Sequence, residues 1–135
     1  MQRIVAAAAL AASINASAQI DYNAPPPGQA VFFENLGVYH RRISSIQPQA
    51  EAYFDQGLRL IYAFNLEEAQ RSFEQGTKFD TLSGMCYWGL ALSLGPNINL
   101  PPDPESNAAA FRASRMALSM TNGRTGPERD LAEAI

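Results

Sequence analysis

Few side chains in this 135-residue chain could do chemistry. His40 is the one histidine and Cys86 the one cysteine, with Met85 beside it. Imidazole, thiolate and thioether are ligands for copper, zinc or haem iron. A metal site needs three or four donors held together, and the sequence puts no partner beside His40. We read His40 as a surface or packing residue. Cys86 has no neighbouring cation to lower its pKa, so we read it as buried and inert. There is no Ser/His/Asp set, no paired histidine and no glycine-rich phosphate loop. The chain is not expected to catalyse a reaction by itself, and no cofactor is expected.

Binding is the other chemistry on offer. Tyr62, Asn65, Trp88, Asn97 and Asn99 join aromatic faces to amides that can hydrogen-bond a peptide backbone. Asn97 and Asn99 fall in Gly95 to Pro104, a stretch stiffened by Pro96, Pro101, Pro102 and Pro104. Such asparagines can bond their own backbone, making the stretch a rigid connector. They can equally form a ligand loop on a rigid scaffold. Both readings stay open in the sequence.

These residues depend on the helices around them. From Ala50 to Leu94, Tyr53, Gly57 and Leu60 are answered 34 residues later by Tyr87, Ala91 and Leu94. Ala69 and Phe73 lie between the sets. Large and small residues at intervals of three and four mark helix faces that pack closely. The spacing is that of a tetratricopeptide repeat (TPR), an α-solenoid of antiparallel helical hairpins that stack on neighbours. The expected fold is all-α. Tyr53, Phe54, Gly57, Leu60, Ile61 and Phe64 form the inner face of the first helix, with Ser45 as its cap. Asn65 and Glu68 suit a capping box opening the second, whose inner face is Leu66, Ala69, Phe73 and Gly76. The third, from about Leu82 to Leu94, is apolar on nearly all sides and must be flanked on more than one face.

The 34-residue pattern then breaks. Asp103 and Asn107 stand where Ala69 and Phe73 should be matched, and small residues resume at Ala109 and Ala113. A fourth helix is expected over Glu105 to Met120, with Phe111 and Met116 as its larger contacts. A fifth begins near Pro127 and has scarcely started its periodicity at Ile135. We expect the repeats, 45–135, to be truncated there, as an N-terminal fragment of a longer protein.

The beginning of the chain has a different character. Arg3, an apolar run from Ile4 to Ala12, and Ala16-Ser17-Ala18 read as a signal peptide over 1–18. Residues 19–44 form a linker and entry segment containing Pro25-Pro26-Pro27, with Val31-Phe32-Phe33 packing irregularly on the first helices. The product is expected to be exported, periplasmic or secreted, and not membrane-spanning after cleavage. The net charge is −3, so the chain less the +1 of Arg3 carries −4. That balance gives no basic face for nucleic acid.

The segment from His40 to Asn99, and more weakly onward to Ile135, resembles a group of exported bacterial TPR proteins. The residues that carry the likeness are Tyr53-Phe54-Asp55-Gln56-Gly57-Leu58, Phe64-Asn65-Leu66-Glu67-Glu68-Ala69, Met85-Cys86-Tyr87-Trp88-Gly89 and Gly95-Pro96-Asn97-Ile98-Asn99. The resemblance implies a helical solenoid that binds a protein or peptide partner in the cell envelope. It brings no known reaction. Gln56 stands where the general repeat prefers leucine, and Thr81 where it prefers proline. Group members often have histidine where Leu66 stands and cysteine where Ser83 stands. A metal- or redox-linked role would therefore fall to His40, Met85 and Cys86. A purely structural part of a larger protein is the plainer alternative.

Overall fold

The computed structural model describes residues 29–99 and 101–135. Residues 1–18, read above as a signal peptide, and the proline run lie outside them. Five helices follow one another: α1 (Pro48–Tyr62), α2 (Leu66–Phe79), α3 (Gly84–Leu94), α4 (Pro104–Met120) and α5 (Pro127–Ala134). The described residues contain no strand. The fold is all-α, and no described helix is long and apolar enough to cross a membrane.

The register follows from where the small residues fall. A Cβ added at Gly57 would meet the Phe73 ring at 2.7 Å, and one at Gly76 would lie 3.5 Å from the Ala50 carbonyl. Higher positions on α1 thus face lower positions on α2, so the pair is antiparallel. Phe73 also faces Gly89, and Gly76 faces Cys86 on α3. The second pair is antiparallel too, which leaves α1 and α3 parallel. α4 packs on α3, and α5 on both.

Phe73 is the centre of this arrangement and is fully buried. Its ring lies between the backbones of α1 and α3, in space that side chains at Gly57 and Gly89 would otherwise fill. Phe54 tilts against it at 5.7 Å. Ala50, Leu58, Leu60, Ala69, Met85 and Cys86 complete the core. Ala91 is buried as well.

Residues 30–43 are irregular and fold back on themselves over α1. Tyr53 donates its hydroxyl to the Ala30 carbonyl, and its ring meets Phe32 edge-on at 5.4 Å. Gln56, 1 % exposed, accepts the Phe33 N–H at 2.7 Å. Its amide donates to the Val31 carbonyl at 2.7 Å and to Ser72 Oγ at 3.0 Å. After a turn, Asp55 accepts the Arg41 N–H at 2.9 Å and Glu51 the Ile43 N–H at 3.3 Å. Gln56 is thus an anchor for extended backbone.

Several local expectations change. Ser45 does not cap α1: Gln47 holds the cap position, without a side-chain bond. The buried Asp80 carboxylate captures the Ser45 hydroxyl at 2.6 Å instead. Asp80 also takes the Leu82 N–H, leaving Leu82 exposed and Ser83 as the cap of α3. On α4, Phe111 and Met116 are exposed, while Ala113, Ala117 and Thr121 are buried. Four-residue spacing puts those three on one row, which approaches α3 closely at Gly84.

Gly89→Ala should destabilise the fold by about 2 kcal/mol, because overpacking against Phe73 outweighs the helix-propensity gain of alanine. Urea unfolding measures this, and adding Phe73→Leu to Gly89→Ala should recover part of the loss relative to Phe73→Leu alone.

Candidate functional site

Because α1 and α3 are parallel, their C-terminal ends share one end of the bundle with the start of α2. Tyr62, Asn65, Asn97 and Asn99 all lie there. Tyr62 closes α1 with its side chain mostly exposed and its ring edge-on to Tyr39 at 5.8 Å. Asn65 caps α2, its side chain accepting the Glu68 N–H at 3.3 Å. The reciprocal half of the capping box does not form. Glu68 pairs with Arg71 at 3.3 Å, and the Asn65 N–H bonds the Leu60 carbonyl.

Asn97 Oδ1 accepts the Asn99 N–H at 2.9 Å, forming an Asx turn in the connector. Asn97 also lines an open cleft of about 190 Å³ between that connector and the first turns of α2. Leu66, Leu94, Pro101 and Pro102 give the cleft apolar walls, and Glu67 and Asp103 bring carboxylates to it. Asp103 caps α4, and hydrogen bonds from Ser106 hold its carboxyl below the ordinary value of 3.8. Trp88 stands apart from this end. It lies midway along α3, half-buried against the core.

The sequence reading placed Phe64 on the inner face of α1. It lies beyond the helix, 69 % exposed, with φ of +58°. The Phe64 N–H bonds the Ile61 carbonyl and the Asn65 N–H the Leu60 carbonyl. This is a Schellman ending, whose left-handed position is usually glycine. A phenylalanine there costs about 1 kcal/mol of backbone strain. The strain holds an aromatic side chain out in solvent, between Tyr62 and the cleft wall at Leu66 in sequence. A bulky residue directly before an asparagine cap was the available signal.

His40, Met85 and Cys86 occupy different environments. His40 is exposed on the outer side of α1, with Nδ1 2.6 Å from Asp55 Oδ2. That hydrogen bond, then the Asp55 charge, raises its pKa above the ordinary 6.5. Met85 and Cys86 are buried in the core. Cys86 packs on Gly76 and approaches the Ala50 carbonyl at 3.8 Å. Burial pushes its thiol up to about 11. Among the described residues no group of three His, Cys, Asp or Glu side chains could hold a metal ion.

No known protein family, curated protein or solved structure matches this chain.

Two measurements probe these environments. In the native protein Cys86 should resist alkylation at pH 8 and react only on unfolding, as mass spectrometry would show. The His40 resonance should titrate above 6.5, and Asp55→Asn should return it toward that value. The protonated clasp contributes fully to stability below the unfolded histidine value, and its contribution is lost as pH rises through the raised folded value.

Proposed function

We propose that this chain is a TPR-type scaffold that binds an extended peptide or protein segment in the cell envelope. The observation that carries the reading is Phe64, a strained and exposed aromatic residue at the end of the bundle where Tyr62, Asn65, Asn97 and Asn99 gather. A residue held in an unfavourable conformation at the surface gains nothing from packing, which is the pattern expected of a contact residue. Tyr39, Tyr62 and Phe64 offer aromatic surface, and the amides offer hydrogen bonds to a peptide backbone. Glu67 and Asp103 at the cleft favour a partner that combines an apolar side chain with lysine or arginine. The export leader read at 1–18 would deliver this scaffold to the envelope, with the prolines as its tether.

Phe64→Gly separates this role from a structural one. Glycine relieves the backbone, so stability should rise by about 1 kcal/mol. Peptides selected by display on the wild-type protein should bind the variant about tenfold more weakly. If the selected peptides bind Phe64→Gly and Asn97→Ala as well as wild type, this end of the bundle is not the binding site.

A further inference from the structure

The opposite end of the bundle has a different chemistry. There the returning entry segment meets the start of α5. Arg41, Arg42, Ser44, Arg124, Thr125 and Glu128 line an open cleft of about 390 Å³. Two stretches far apart in sequence, 41–44 and 124–128, build it. The Ser44 N–H donates to Glu128 Oε1 at 2.6 Å and joins them.

Three arginines face one carboxylate in this cleft, on a chain whose net charge is −3. Arg124 is the arginine that Glu128 engages, Nη1 to Oε2 at 3.7 Å. The Arg41 and Arg42 guanidinium groups form no ion pair among the described residues. Arg42 is exposed and Arg41 half-buried. The Arg41 main chain is fixed by Asp55, which accepts its N–H at 2.9 Å. One arginine therefore springs from an anchored backbone, and its neighbour is free to adapt. The Thr125 hydroxyl adds a neutral donor.

We propose that this cleft binds a small molecule carrying an oxyanionic group, a phosphate or a carboxylate. Guanidinium groups match both, because their planar N–H forks can donate two parallel hydrogen bonds to a pair of oxygens. The volume lies within the range of small-molecule pockets. Glu128 remains tied to Ser44 and Arg124, and the incoming anion takes Arg41 and Arg42. Glu128 is then a like charge at the edge of the site and weakens binding. The site is distinct from the aromatic end of the bundle and does not depend on a peptide occupying it.

Isothermal titration of the whole purified chain with pyrophosphate and, separately, citrate at fixed ionic strength tests the proposal. At least one probe should bind saturably with one site per chain, and the tighter probe tells phosphate from carboxylate. Arg42→Gln, at an exposed position, should weaken that binding about tenfold while thermal melting stays unchanged. Glu128→Gln keeps an acceptor for the Ser44 N–H and should strengthen binding severalfold. Arg112→Gln, an exposed substitution on α4, should leave it unchanged. No saturable binding of either probe would overturn the proposal. So would equal losses in Arg42→Gln and Arg112→Gln, which mark general charge attraction rather than a site.

Discussion

The ring of Phe73 fixes the distances between the first three helices. It is contributed by α2 and received by Gly57 on α1 and Gly89 on α3. One side chain thereby sets two helix separations at once. Neither neighbour can carry a Cβ without moving the ring, and the ring is enclosed by Phe54 and the rest of the core. The positions of both ends of the bundle follow from it. With α1 and α3 held parallel at a fixed spacing, the α1–α2 turn and the α3–α4 connector must come out side by side.

Much of this was legible in the sequence, for a physical reason. Close helix packing requires small residues at definite intervals, and Gly57, Ala69, Gly76 and Ala91 stand at those intervals and are buried. The third helix, apolar all round, has neighbours on several sides, as a helix without a polar face must. Gly89 was harder to recognise as a partner of Phe73. It falls off the 34-residue match, and only the rotation of α3 about its axis brings it to the ring. On α4 the periodicity showed small residues but not which row would be covered, so Phe111 and Met116 looked like contacts although they face solvent.

The candidate site was less legible because its residues are brought together by the turns. Tyr62, Asn65, Asn97 and Asn99 could be named from residue type, but their common location depends on the parallel pairing of α1 and α3. Phe64 fitted a helical periodicity that had already ended two residues earlier, and its left-handed backbone has no signature in side-chain hydrophobicity. The arginine cleft was invisible for the same reason. Arg41, Arg42 and Arg124 become neighbours only when α5 docks and Glu128 meets the Ser44 amide.

The polar anchor at Gln56 bears on where this folding unit begins. Its amide is buried, and most of its hydrogen-bond partners come from Val31 and Phe33, ahead of α1. A polypeptide trimmed back to the first turn of α1 would keep all five described helices. It would strip that amide of its main-chain partners and leave water to take their place. It would also uncover the apolar flank that Ala30, Leu36 and Ile43 shield. The packing of α1 therefore depends on chain from about Ala30 onward, among residues that have no regular secondary structure.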